Sequence, residues 1–112
     1  MRILFDHSTP WKLARFLRLH TVVSAYEMGW SRLSNGALLK AAEEDAFDAL
    51  ITTDSSISYQ QNLKQRKIAL IVITGATKWS ARRSHVDRIV ASVDGCPPSA
   101  YIEIDIPWHE LL

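Results

Sequence analysis

The chain of 112 residues carries one cysteine, Cys96. An intrachain disulfide is therefore impossible, and a reducing compartment is the natural setting. Nor does the sequence arm that thiol, because Gly95-Cys96-Pro97-Pro98 is a turn without a basic neighbour to ionise it. No apolar stretch is long enough to span a bilayer or act as a secretion signal. Met1 runs directly into the short segment Arg2-Ile3-Leu4-Phe5, and the reading is a cytoplasmic protein with no membrane partner. An excess of one charge is missing too: thirteen basic and twelve acidic side chains leave a net charge of +1. Any affinity for nucleic acid must then come from a local patch. Repeats, low-complexity tracts and interdomain linkers are absent, so residues 1–112 read as one domain.

What is present is a globular composition, 47% apolar and 22% charged, enough for a real core. Four apolar runs, Arg2–Phe5, Thr21–Ala25, Ala49–Thr53 and Ile68–Thr74, lack polar alternation. Such runs predict strands covered on both faces. Helical patterns lie between them, and the order β-α-β-α-β-α-β predicts a mostly parallel sheet with right-handed crossovers. A final run, Ala100–Ile106, alternates as Tyr-Ile-Glu-Ile-Asp-Ile before Pro107. Alternation and a closing proline predict a C-terminal edge strand.

The first helix is expected to open at Pro10 with Ser8 or Thr9 as its cap. Leu13, Phe16 and Leu17 should face the sheet, with Lys12, Arg15 and Arg18 opposite. A second helix should follow Ser34, burying Leu38, Leu39, Ala42 and Ala46 and exposing Glu43, Glu44 and Asp45. A short third over Ser58–Leu63 and a fourth over Ser80–Val93, with Val86, Ile89, Val90 and Val93 on one face, complete the layout.

In parallel sheets, ligands bind beyond the carboxyl ends of the strands, near a switch in strand order. Asp6 ends the first run and Asp54 follows the third. If those strands are neighbours, the two carboxylates converge on one rim, and a hard divalent cation, Mg²⁺ or Mn²⁺, relieves their repulsion and presents water to a phosphodiester. An Asp after a strand also commonly closes the next turn onto its own backbone, so both readings stand at this point. His7 can turn into the rim where the strand ends, as an acid/base or metal-shell group. Gln60, Gln61 and Asn62 form an amide cluster beyond Asp54 suited to nucleobase edges, with Tyr59 beside them to stack. Lys12, Arg15 and Arg18, with Lys78, Arg82 and Arg83, suit a phosphate track. An exposed Trp11 or Trp108 would mark a surface for a homodimer.

Several segments share an order and spacing with a known family. They are Ile3-Leu4-Phe5-Asp6-His7, Pro10 opening a basic helix, Glu27-Met28-Gly29-Trp30, Leu33-Ser34-Asn35-Gly36, Thr52-Thr53-Asp54 and Tyr59-Gln60-Gln61-Asn62-Leu63. On these the chain resembles the PIN-like domain family, in particular small bacterial PIN-like proteins, through most of residues 2 to 75 with a weaker echo at 100 to 107. The resemblance implies an α/β PIN-like fold and Mg²⁺- or Mn²⁺-dependent cleavage of RNA by clustered acids, often as a toxin restrained by an antitoxin. Asp6 and Asp54 would hold the metal, with Asn35 assisting through its oxygen and His7 nearby. The chain departs from the pattern at Asn35, where the family commonly has Asp, and at Ala37, where the branch has Glu. Fewer anionic ligands imply a weaker hold on the ion. The alternative is a catalytically weakened PIN-like protein that binds RNA or a protein partner without cleavage. A phosphate-accepting α/β signalling domain is a further reading, but it needs an acidic pair after the first strand, and Asp6-His7 supplies one acid.

Overall fold

A computed structural model describes residues 1–57 and 66–108. Five strands follow the apolar runs: β1 (Arg2–Phe5), β2 (Thr21–Ser24), β3 (Ala49–Thr52), β4 (Ala69–Gly75) and β5 (Tyr101–Ile106). All four pairings are parallel, and the strand order is β2-β1-β3-β4-β5. The chain first steps from β1 outward to β2, then returns past β1 to build the rest of the sheet. That reversal puts the topological switch between β1 and β3.

Alternation of side chains across each strand divides the core in two. On one face Ile3, Phe5, Ile51, Ile71 and Ile73 meet Leu13 of a 3-10 helix (Trp11–Phe16), Leu17 just beyond its end, and Val86, Ile89 and Val93 further on. On the other, Leu4, Leu50, Leu70 and Val72 meet Leu38, Leu39 and Ala42 of helix α1 (Asn35–Glu44), together with Ile57 and Ile68. The inner strands β1, β3 and β4 are covered on both sides, as their unbroken apolar runs predict, and each fully buried Leu or Ile contributes about 1.5–3 kcal/mol. β5 is the expected edge strand, with Ile104 and Ile106 buried and Tyr101, Glu103 and Asp105 exposed. β2 departs from expectation. It forms the opposite edge and is only half-buried.

The helices differ more. Residues 79–94 form two helices, α2 (Trp79–Ser84) and α3 (Val86–Asp94), broken at His85 (φ −110°, ψ 17°). No glycine or proline marks that break. The first helix is 3-10, and Pro10 precedes it without a side-chain cap, because the Ser8 and Thr9 hydroxyls turn back toward Asp6. Ala46 is exposed beyond the end of α1 at φ 62° rather than buried. Glu43 accepts from Arg66 Nη1 (2.7 Å) and the Lys67 N–H (3.1 Å) rather than facing solvent alone. Ser34 does cap α1, accepting the Ala37 N–H at 3.4 Å. The expected helix at Ser58–Leu63 lies outside the described residues.

Uniform right-handed crossovers are not what the structure shows. The 3-10 helix carries the chain from β1 to β2, and α2 and α3 carry it from β4 to β5, in opposite directions along the sheet. Both connections cover the same face, so their hands are opposite and one breaks the usual rule. The residues of β5 supply the reason. Its buried side chains all lie on that face, and only helices placed there can cover them.

Gly75 ends β4 at φ +88°, where a Cβ would run into the Ile106 carbonyl and the Asp105 carboxylate of β5. Gly75→Ala should lower stability by about 2–4 kcal/mol through backbone strain and overpacking together, measured as a shift in the urea midpoint. A loss under roughly 0.5 kcal/mol would show that β5 shifts freely at its C-terminal end.

Candidate functional site

The register of β1 against β3 pairs Phe5 with Ile51, so the next residues out, Asp6 and Thr52, stand side by side at the carboxyl ends of neighbouring strands. The side chains that follow close two turns of the same design. Asp6-His7-Ser8 and Asp54-Ser55-Ser56 both read Asp-x-Ser. In each, the aspartate Oδ1 accepts the N–H and the hydroxyl of the serine two residues on. For Asp6 the distances are 3.1 and 2.7 Å, and for Asp54 they are 3.0 and 2.6 Å. An Asx turn of this kind lets a carboxylate replace the backbone acceptor that the strand no longer provides.

Asp6 is only 6% exposed, and its oxygens take further donors. Oδ1 also accepts the Thr9 N–H at 3.1 Å and lies 2.9 Å from the Thr9 hydroxyl, which is 2.7 Å from the Ile51 carbonyl as well. Oδ2 accepts the hydroxyl of the fully buried Thr52. That hydroxyl in turn accepts the Asp54 N–H at 3.0 Å, tying the two turns together. The Ser8 hydroxyl makes a second tie by accepting the Thr53 N–H at 3.1 Å. Asp54, half-buried, receives the Asn35 side-chain amide on Oδ2 at 3.2 Å. Asn35 opens α1, so that helix delivers its first side chain onto the tip of β3. All four carboxylate oxygens of the pair are thus occupied by donors of the protein itself.

The Asp54 carboxyl is held below its ordinary value, chiefly by the Ser56 hydroxyl and then the Asn35 amide. Burial opposes them, while the Ser56 N–H and the nearby charge of His7 add to the lowering. His7 is exposed on the rim.

Asp6, Asp54, Asn35 and His7 therefore share one rim, where Asn35 presents its side-chain nitrogen to Asp54. The sequence reading overlooked Ser8, Thr9, Thr52 and Ser56 as participants. Their signal was the repeated Asp-x-Ser and a threonine interrupting an apolar strand. Lys12, Arg15 and Arg18 are exposed. Arg82 leaves the expected phosphate track, since it is buried and its Nε donates to the Ala76 carbonyl at 3.3 Å. Gln60, Gln61, Asn62 and Tyr59 lie outside the described residues. Trp11 and Trp108 are 51% and 63% exposed.

Mg²⁺ or Mn²⁺ would need carboxylate oxygens turned toward it. Here N–H and O–H dipoles aim their positive ends at every such oxygen, and among the described residues no group of three or more His, Cys, Asp or Glu side chains could hold a metal ion. As arranged, an ion would have to share these oxygens with the donors already on them or displace those donors. Among the described residues, no helix is long and apolar enough to cross a membrane. Comparison with family models, with curated proteins and with solved structures finds no match.

Two outcomes follow from this network. Thr52→Val keeps the shape but strips a donor from Asp6 and an acceptor from the Asp54 N–H; a loss of about 1–3 kcal/mol in urea unfolding is expected. Because the folded-state value of Asp54 lies below the unfolded one, the unfolded chain binds more protons through that range. The stability Asp54 contributes is full above about pH 4 and is lost as pH falls through the folded value. Urea midpoints followed from pH 6 downward should show this acid-side fall in the wild type and a shallower one in Asp54→Asn; equal slopes would remove Asp54 from the network.

Proposed function

We propose that the chain is a PIN-like protein that binds single-stranded RNA on the basic face of its first helix without cleaving it. The observation that carries this reading is the occupation of all four carboxylate oxygens of Asp6 and Asp54 by internal donors. Such donors relieve the repulsion that would otherwise recruit a cation, and they turn the acid pair into a structural clasp. Lys12 and Arg15 are exposed on the 3-10 helix that starts beyond that clasp, and Arg18 is exposed in the turn just after it. They supply the local positive patch that a net charge of +1 does not.

A second reading, a Mg²⁺- or Mn²⁺-dependent ribonuclease acting as a toxin with an antitoxin partner, is favoured by one feature. Asp54 is held ionised beside Asp6 at the β1/β3 switch. It requires the Asn35 amide and the Ser56 hydroxyl to release Asp54.

One assay separates the two. A labelled single-stranded RNA is titrated with protein by anisotropy, with and without Mn²⁺, and its integrity is followed on a gel. Three cations facing phosphates predict a salt slope near −2 on a logarithmic plot, and nonspecific binding of this kind lies at roughly 10⁻⁴–10⁻⁶ M at physiological salt. Intact RNA at every metal concentration, with binding unchanged in Asp54→Asn, supports the first reading. Cleavage that requires Mn²⁺ and disappears in Asp6→Ala and Asp54→Ala establishes the second. Absence of both binding and cleavage removes RNA from the account.

A further inference from the structure

An open cleft of about 710 Å³ lies between the 3-10 helix and α2, lined by Pro10, Trp11, Lys12, Ala14, Arg15 and Trp79. We propose that this cleft is a nucleotide subsite. An unpaired RNA base lies against the Trp11 and Trp79 indoles, and its phosphate meets Lys12 and Arg15. The inference rests on the RNA reading for its polymer, but neither aspartate lines the cleft.

The case starts from the cost of exposing tryptophan. An indole left in water forfeits one of the largest burial gains any side chain offers, yet Trp11 is 51% exposed. Its ring does not hang loose. Phe5 braces it edge to face, with centroids 5.7 Å apart and planes at 76°. Trp79 is braced as well, its ring 6.4 Å from Phe16 at a 34° tilt, while Arg83 places its guanidinium 4.7 Å over the Phe16 ring. Both indoles at the cleft are therefore fixed from behind by the core. A rigid aromatic platform costs little entropy when a flat partner settles on it.

Charge selects the partner. Two of the six lining residues are cations and none is an acid. Arg18 is also exposed in the turn after the 3-10 helix, and Lys78 lies next to Trp79. A ligand that matches such a wall must be planar and apolar in one part and anionic in another. Base and phosphate meet both demands, and stacking tolerates any base because each presents a π face. Arg15 can also contribute a cation–π contact to a bound base.

The test measures anisotropy of a fluorescein-labelled twelve-residue oligoadenylate RNA on the full chain, beside quenching of intrinsic tryptophan fluorescence by adenosine monophosphate. Trp11→Ala removes an exposed side chain and should weaken the RNA by roughly ten- to hundredfold. Arg15→Glu should weaken it and flatten the salt dependence. Trp79→Phe, chosen because Trp79 packs on Phe16, should weaken it less than Trp11→Ala with an unchanged circular dichroism spectrum. RNA affinity unaltered by Trp11→Ala and Arg15→Glu overturns the subsite while leaving the RNA reading standing. Quenching by the mononucleotide, abolished in Trp11→Ala but with no RNA binding, upholds the subsite and sinks the RNA reading. Sedimentation showing a dimer that Trp11→Ala splits, without nucleotide binding, identifies the cleft as a contact between copies and overturns the proposal.

Discussion

The parallel register that sets Asp6 beside Thr52 governs the rest of the rim. Side chains alternate along a strand, so a slip of one residue between β1 and β3 would turn either partner to the opposite face. With the register as it is, a carboxylate sits almost out of water with a buried hydroxyl donating to it. A charge in that position is tolerated only if donors replace the lost water. Asp6 collects them from two backbone N–H groups and the hydroxyls of Ser8 and Thr52, with the Thr9 hydroxyl shared between Asp6 and the Ile51 carbonyl. Charge-assisted bonds of this kind are about twice as strong as neutral ones. The first turn of the chain after β1 is consequently tied to β3, forty-odd residues later.

That tie bears directly on what two aspartates at a switch point are for. A pair of bare carboxylates attracts a divalent cation because nothing else relieves their repulsion. Here the relief is internal, and it is built twice over by the same Asp-x-Ser device. Asn35 completes it by donating its side-chain amide to Asp54 Oδ2. The positive end of that amide dipole faces Asp54, where a carboxylate would present negative charge.

Much of this architecture was legible from residue order. Ile3-Leu4-Phe5 and Leu50-Ile51 announced inner strands because a strand covered on both faces has no polar side to show. Tyr101 to Ile106 announced an edge because alternation leaves one face in water. β2 misled for the same reason in reverse: Val22 and Val23 are apolar, but an edge position needs no polar alternation to be tolerated. The break at His85 left no trace, since neither Gly nor Pro produces it, and the hand of the last crossover depends on which face of β5 is apolar relative to β1. At the site, the aspartates were visible as strand-end acids. Their donors were not, because a serine two positions after an aspartate reads as loop until the turn closes.

The clasp and the cleft are connected through a few residues of backbone. Asp6 Oδ1 fixes the N–H groups of Ser8 and Thr9, Pro10 then restricts its own φ, and the 3-10 helix begins at Trp11 with its ring against Phe5, the neighbour of Asp6. Loosening Asp6 would therefore move the indole and the cations behind it, not only the rim. An acid at a strand tip can thus be indispensable to the fold through its hydrogen bonds alone.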